Sequence, residues 1–156
     1  MSYVVLKWLH IMSSTFLFGT GVGSAFYLLF TTMTRDVRAI AAVARIVVLA
    51  DWLFTSTTVI IQPLTGYLMI RTAGFPMSSR WIMWSVILYV IAVACWLPVL
   101  WLQMQLKQLS SIAADSGTPL PDAYWRYFRY WVLLGVPAFF AFVAIFYLMV
   151  AKPAAF

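Results

Sequence analysis

Four long apolar runs, at about residues 4–30, 46–70, 81–106 and 130–150, restrict this chain more than any other feature. Each run exceeds the roughly 20 residues that an α-helix needs to cross the hydrocarbon core of a bilayer. Backbone N–H and C=O groups in lipid must be paired within the segment, so each run is expected to be helical. The sequence therefore predicts an all-α polytopic membrane protein, a bundle of four transmembrane helices that forms one integral membrane domain over residues 1–156.

Charged residues are scarce in this chain and occupy particular places. They make up 9% of the residues, whereas apolar residues make up 65%; soluble proteins are about a quarter charged. The ten Lys and Arg residues stand singly or in pairs at the ends of the apolar runs, as interface anchors and topology signals do. The sequence contains no basic patch of the kind that binds nucleic acid. We therefore expect the lipid bilayer as the main partner and no nucleic acid.

The basic residues are unequally divided between the two sides of the predicted bundle. The connecting segments 31–45 and 107–129 share one side and contain six of them, whereas the other side contains four. Segments rich in Lys and Arg tend to stay in the cytoplasm. We therefore expect these two segments to be cytoplasmic and both chain termini to be periplasmic.

His10 is the only histidine of the chain and lies inside the first apolar run. An ionisable residue within a membrane segment is a candidate functional residue by default. At 100° per residue, Leu17, Gly21 and Ser24 share its side of the helix, so small residues leave space beside the imidazole. Two interpretations stay open: a hydrogen-bonding group between helices, or an axial ligand of haem iron.

A haem site around the histidine would draw on methionines and cations at the same predicted depth. A thioether can be the second axial ligand of the iron, and basic side chains can pair with the haem propionates. Packing of the methionines in the bundle is the alternative interpretation. One histidine per chain also excludes bis-histidine ligation within a single chain. The candidate cofactor-binding residues are His10 as the metal ligand with Met69, Met83, Lys7, Arg71 and Arg80 around it.

The second apolar run carries five polar residues on one helical face. Side chains spaced in this way should point into the bundle rather than into lipid. They could form hydrogen bonds between helices, each contributing less than about 1 kcal/mol, or they could line a path for a cofactor, a proton or an ion. The first of them, a carboxylate, needs a cation or a proton, and Arg126 or Arg129 is the expected partner. The polar stripe consists of Asp51, Thr55, Thr58, Gln62 and Thr65.

Two further features concern helix packing. Gly19 and Gly23 form a G-x-x-x-G pair on the side of the first helix opposite His10, and such a pair allows another helix to approach closely. That helix could belong to the same bundle or to a second subunit. Pro63 has no N–H to donate, so it should kink the second run and leave the carbonyl of Val59 without its helical partner.

The segment Lys7-Trp8-Leu9-His10-Ile11, followed by Phe18-x-Gly and the pattern of four apolar runs, resembles an uncharacterised family of predicted bacterial inner-membrane proteins. More distantly, it resembles the HemJ-type protoporphyrinogen oxidases and the CopD-like copper-resistance membrane domains. HemJ-type proteins are thought to hold haem b through a histidine near the start of the first helix, which matches His10. They are also thought to use a lysine near the second helix, whereas this chain has no lysine between Lys7 and Lys107. The resemblance implies a bacterial inner-membrane location and haem b as cofactor.

The sequence leaves three functions open. The first is a membrane-embedded, haem b-binding redox protein with His10 as axial ligand, which could act as a haem-dependent oxidoreductase. The second is a non-enzymatic accessory or scaffold subunit of a membrane complex or homo-oligomer, assembled through Gly19 and Gly23. The third is copper transport, for which clustered soft ligands are needed, whereas the methionines of this chain are scattered.

Overall fold

The computed structural model describes residues 2–153, which fold into helices joined by short turns. The π-helical segment Asp51–Thr55 joins α2 to α3 without a break, so the chain forms four rods: α1, the α2–α3 unit, α4 and α5. Short connections make consecutive rods antiparallel neighbours. This architecture confirms the predicted all-α bundle. The helices are α1 (Tyr3–Thr34), α2 (Val37–Ala50), α3 (Ser56–Ala73), α4 (Arg80–Ser116) and α5 (Asp122–Ala151).

Three of the four rods are individually long and apolar enough to cross a membrane within the described part of the chain: α1, α4 and α5. The fourth rod carries the polar stripe and is divided by the π-helical segment, so neither α2 nor α3 alone meets both criteria. Together the two helices and the segment between them span 37–73, about 55 Å at 1.5 Å per residue. This length exceeds the bilayer core of about 30 Å.

The helices extend well beyond the apolar runs, so all three connections are shorter than predicted, and two of them are much shorter. Only Arg35 and Asp36 separate α1 from α2, where the sequence suggests a link over 31–45. Asp36 caps α2 by accepting hydrogen bonds from the N–H groups of Arg38 and Ala39 at 3.0 and 3.1 Å, an arrangement that starts a helix. The link predicted over 107–129 shrinks to residues 117–121. Hydropathy marks where the chain leaves the lipid, not where the helix ends.

The tightest packing lies at the end of the bundle that contains these two connections. Leu28, Ile40, Leu106 and Tyr124 are almost fully buried there, in one apolar cluster contributed by α1, α2, α4 and α5. The hydroxyl group of Tyr124 is 2.9 Å from that of Thr32, which ties the start of α5 to the end of α1. This end of the bundle holds the four rods together.

Pro63 lies inside α3, and the carbonyl that it leaves unpaired finds a partner on another helix. The hydroxyl group of Tyr89 in α4 donates a hydrogen bond of 2.5 Å to the carbonyl of Val59. A hydroxyl is a strong donor, and a buried carbonyl without a partner would cost free energy. The proline therefore creates the acceptor through which α3 is bonded to α4.

The remaining packing leaves a gap between α1 and α5. α1 packs chiefly on α2 and α3, α5 packs on α4, and the backbones of α1 and α5 approach each other at few places. Aromatic side chains bridge the gap at mid-height, where the Phe18 ring lies 5.7 Å from the ring of Phe139 and 5.2 Å from that of Phe146. The space beside this aromatic bridge becomes the cavity described below.

Gly19 and Gly23 contact no other helix of the described chain. A Cβ atom built at Gly19 would meet nothing within 4 Å, and one at Gly23 would meet only Tyr27 of its own helix. Close packing of another helix of the described chain on this pair is therefore not observed. The glycines line an open groove of about 610 Å³ between α1 and α2, whose other wall includes Ile46 and Phe54. Packing on a second subunit stays a prediction.

Candidate functional site

The polar stripe of the second rod faces the bundle interior and separates into two groups. Its members are buried, except that Gln62 is half-buried. Gln62 and Thr65 face His10 of α1. Asp51 and Thr55 lie nearer to α2, at the two ends of the π-helical segment. Thr58, between the groups, donates to its own helix at the carbonyl of Phe54, at 2.6 Å. The stripe therefore serves two separate sites.

His10 is hydrogen-bonded through both ring nitrogens to the second rod. Its Nδ1 atom lies 2.9 Å from Oγ1 of Thr65, and its Nε2 atom lies 3.1 Å from Nε2 of Gln62. The hydroxyl of Ser13, one turn further along α1, donates a hydrogen bond to Oε1 of Gln62. We call these four residues the histidine cluster: His10, Ser13, Gln62 and Thr65.

Matching donors to acceptors fixes the protons of the histidine cluster. The amide nitrogen of Gln62 can only donate, so Nε2 of His10 accepts. The Thr65 hydroxyl lies 2.8 Å from the carbonyl of Ile61, which can only accept, so Thr65 donates there and accepts from Nδ1–H of His10. With the Gln62 amide in this orientation the imidazole is neutral and both of its nitrogens are paired. The single hydrogen of the Ser13 hydroxyl has two acceptors within reach, Oε1 of Gln62 and the carbonyl of His10 at 3.0 Å.

Gly66 allows the imidazole to come this close to α3. A Cβ atom at this position would lie 3.1 Å from Cε1 and 3.7 Å from Nδ1 of His10. The first distance is well inside ordinary van der Waals contact, so a larger residue would push the ring away. Ser13 and Gly66 belong to this site but were not expected from the sequence. Ser13 lies one turn after His10, and Gly66 directly follows Thr65; these positions are the only signals of their roles.

The structure does not gather the other predicted haem residues around the imidazole. Met83 is exposed on the surface of the bundle and Met69 is half-buried, while Lys7, Arg71 and Arg80 are exposed. Both ring nitrogens of His10 already have partners, so the residues present do not fit haem ligation in this arrangement. Binding of iron at Nε2 would require the Gln62 amide to move away. Haem b stays a prediction.

Asp51 is buried and paired with neutral groups. Its Oδ1 atom accepts a hydrogen bond of 2.7 Å from the hydroxyl of Thr55, and the side chain of Gln103 in α4 lies beside the carboxyl group. The predicted pairing with an arginine is wrong. Arg129 is exposed, and the exposed Arg126 lies over the ring of Tyr127 at 5.9 Å. Both arginines are on the correct side of the bundle, but their side chains lie in solvent or at the interface rather than among the helices.

A cavity of about 400 Å³ lies beside Asp51, between α1, α4, α5 and the π-helical segment. Its walls are almost entirely apolar, and the few polar side chains come from α1, the π-helical segment, α4 and α5. A cavity of this size with a few polar groups is typical of small-molecule sites. None of its lining residues is a histidine, cysteine or methionine. Its polar lining residues include Asp51, Thr55, Trp96, Gln103 and Trp131, and its apolar walls include Leu17, Phe26, Val99, Val132, Phe139 and Phe142.

Three buried side-chain polar atoms have no hydrogen-bond partner among residues 2–153, and all three belong to residues that line this cavity. They are Nε1 of Trp96, Oε1 of Gln103 and Nε1 of Trp131. Buried polar atoms are nearly always paired, so each exception calls for an explanation. Three exceptions at one cavity are polar groups that a molecule in the cavity, whether water or an organic ligand, could pair with. We call Trp96, Gln103 and Trp131 the unpaired triad.

The unpaired triad could have been noticed in the sequence. Trp96, Val99 and Gln103 are spaced by three and four residues, so they share one face of α4, and Gln103 is a polar residue within an apolar run. The aromatic residues around Trp131 instead match the expected interface belt, which hides its contribution to the cavity. A metal site is not suggested here: in the described chain, no three His, Cys, Asp or Glu residues are grouped to hold an ion.

Comparison with known proteins places the chain in a family by its sequence. Residues 4–153 match the family model described as "Predicted integral membrane protein (DUF2269)". This match confirms the predicted membrane family, while it gives no support to the resemblance to HemJ-type or CopD-like proteins. No curated protein and no solved structure matches the chain.

Proposed function

The chain belongs to the DUF2269 family of predicted integral membrane proteins, and from this premise we propose that it binds a lipid-soluble organic molecule in the cavity between α1, α4 and α5. The apolar part of the ligand fills the cavity, and its polar head meets the unpaired triad beside Asp51. The observation that carries this proposal is the coincidence of three unpaired buried polar atoms with one apolar cavity.

The position of the cavity supports entry of the ligand from the bilayer. Phe26 and Phe30 of α1 and Val136 and Phe140 of α5 line the cavity and are also exposed on the outer surface of the bundle. The backbones of α1 and α5 are far enough apart to leave a lateral opening between them. A molecule dissolved in the membrane can therefore reach the cavity without crossing water.

Two glycines of α1 provide a matched pair of variants for the test. Gly21 lines the cavity and Gly19 lines the groove on the other side of the helix. A Cβ atom at either position would meet nothing within 4 Å, so a side chain can leave the backbone at both positions without a clash. Gly21→Leu fills the cavity, whereas Gly19→Leu adds the same atoms to the same helix and leaves the cavity open.

The experiment uses the purified protein in lipid nanodiscs with three photoreactive probes. The probes share one alkyl tail that carries a diazirine, and their heads are a hydroxyl, a methyl ether and a carboxylate. We expect saturable labelling of α1 and α5 peptides around the cavity by at least one probe, lost in Gly21→Leu and kept in Gly19→Leu. Unsaturable labelling by all three probes, or equal labelling of both variants, would contradict the proposal.

Haem b at His10 remains a second, separate proposal, motivated by the unique membrane histidine and the sequence resemblance. The cavity lining offers no axial ligand for haem iron, and Leu17, the first cavity residue on the His10 side of α1, lies seven residues further along, about 10 Å at 1.5 Å per residue. Protein expressed with ample haem should show a Soret band that is lost in His10→Ala. A colourless preparation would exclude this proposal without affecting the cavity.

Location and assembly also remain proposals. The excess of basic residues on one side supports an orientation with both termini in the periplasm, and the sequence resemblance of the first helix supports a bacterial inner membrane. The open groove at Gly19 and Gly23 supports a homo-oligomer or an accessory role in a larger complex. Labelling of single cysteines added near residues 7 and 117 by a membrane-impermeant maleimide would test the orientation, because the two sites should react from opposite sides.

A further inference from the structure

We infer that the head of the cavity ligand is a neutral hydroxyl group, as in an isoprenoid alcohol or a quinol. This inference deepens the proposed function and rests on it, because it assigns the chemistry of the molecule that the cavity holds. It follows from the kinds of atoms that the unpaired triad presents.

The unpaired triad offers both donors and an acceptor. An indole N–H can only donate, so Trp96 and Trp131 each require an acceptor atom on the ligand. The amide oxygen Oε1 of Gln103 can only accept, so it requires a donor on the ligand. A hydroxyl group has one donor hydrogen and two acceptor lone pairs. A hydroxyl group is therefore the simplest head that carries both the acceptor and the donor that the unpaired triad lacks.

Asp51 explains why the oxygen of Gln103 is the free atom. The Asp51 carboxyl accepts a hydrogen bond of 2.7 Å from the Thr55 hydroxyl, and the side chain of Gln103 lies beside the same carboxyl group. An amide presents its nitrogen to a carboxylate oxygen, since that nitrogen is its donor. The opposite end of the amide, Oε1, is then left without a partner. Asp51 thus acts as a positioning residue that orients the acceptor of the site.

Other head groups leave part of the site unpaired. A ketone, ester or ether accepts from the indoles but gives Gln103 no donor. An ammonium group gives donors but no acceptor for the indoles. A carboxylate has no hydrogen to donate, would lie beside Asp51, and finds no Lys, Arg or His among the lining residues to balance its charge. Burial of an unbalanced charge is costly, so a charged lipid is disfavoured.

The test compares ligands that differ only in the donor hydrogen, in competition with the photoreactive probe on the wild-type protein in nanodiscs. Geranylgeraniol is compared with its methyl ether, and a decyl-tailed benzoquinol, kept reduced, with its dimethyl ether. We expect each hydroxyl compound to compete about tenfold or more better than its ether. The better competitor of the two hydroxyl compounds identifies the isoprenoid alcohol or the quinol as the class.

A variant shows whether the discrimination arises at Gln103. In Gln103→Met, which keeps the length of the side chain and removes the acceptor, alcohol and ether should compete equally. Trp101→Phe is the control, because Trp101 is exposed on the same helix and does not line the cavity; it should keep the tenfold preference.

The outcomes separate this inference from the proposed function. Equal competition by alcohol and ether on the wild-type protein, or stronger competition by the carboxylate, would overturn the hydroxyl assignment while ligand binding in the cavity stands. Failure of all compounds to compete for a saturable site would overturn both. The comparison on wild-type protein does not depend on the folding of any variant.

Discussion

Replacing Gly66 by alanine tests the histidine cluster through a single methyl group. The added Cβ would lie 3.1 Å from Cε1 of His10, so the ring must retreat by a few tenths of an ångström to reach ordinary contact. The ring cannot retreat freely, because its nitrogens lie at 2.9 and 3.1 Å from Thr65 and Gln62. A shift of that size stretches both hydrogen bonds toward the limit of useful geometry.

The expected magnitude follows from two opposing terms. Alanine in place of glycine stabilises a helix interior by about 0.5–1 kcal/mol. Two interhelical hydrogen bonds in a membrane contribute about 0.6 kcal/mol each on average, so weakening both forfeits up to about 1.2 kcal/mol. Gly135→Ala is the control: Gly135 lines the cavity between α1, α4 and α5, where a Cβ meets nothing within 4 Å, so only the helix term applies in protein without a cavity ligand. We expect Gly66→Ala to be less stable than Gly135→Ala by about 1 kcal/mol.

Unfolding of the purified protein by SDS in mixed micelles measures this difference, and a double-mutant cycle locates its origin. The variant His10→Ala has no imidazole ring that a methyl group at residue 66 could displace. In that background, Gly66→Ala should therefore stabilise the protein as much as Gly135→Ala does. A cost of Gly66→Ala that persists unchanged without the imidazole would refute the histidine cluster as the cause. Equal stability of Gly66→Ala and Gly135→Ala in the wild-type background would refute the close contact itself.

Three further predictions concern other contacts. Tyr89→Phe leaves the carbonyl of Val59 unpaired and should lower the free energy of unfolding in SDS by about 1–3 kcal/mol. This loss should be smaller in the background Pro63→Ala, because alanine restores the helical donor. An undiminished loss would disprove the pairing. Asp51→Asn should change the unfolding free energy by less than about 2 kcal/mol because the partners are neutral, whereas breaking a buried ion pair would cost about 3–5 kcal/mol. Combined Gly19→Leu and Gly23→Leu should leave the fold intact, because the groove is open, and should dissociate any assembly that light scattering detects in the wild-type protein; an unchanged oligomer would exclude this face as its interface.

The sequence predicts the helices and the inward face of the polar stripe because both follow from periodicity. A repeat of 3.6 residues places Asp51, Thr55, Thr58, Gln62 and Thr65 on one side of a rod, and their burial agrees with that pattern. The π-helical segment leaves no trace in hydropathy, since its outward residues Trp52, Leu53 and Phe54 suit lipid in either helix type. The π-helical segment can therefore be recognised only in the structure.

Which side chains pair across the bundle depends on the distances between the helices, and the sequence alone does not give these distances. The distribution of basic residues locates Arg126 and Arg129 on the same side as Asp51, but both are exposed, and Gln103 is the residue that meets the carboxyl group. The role of Gly66 likewise depends on the distance between two helices. The cavity exists because α1 and α5 do not pack closely against each other. No local sequence pattern predicts this gap.

Photolabelling of Gly21→Leu beside Gly19→Leu in nanodiscs decides whether the cavity binds a lipid-soluble molecule. Both variants add one leucine to α1 at positions with open space, and only the first fills the cavity. We predict that saturable labelling around the cavity disappears in Gly21→Leu and is retained in Gly19→Leu. Equal labelling of the two variants would contradict a ligand site between α1, α4 and α5.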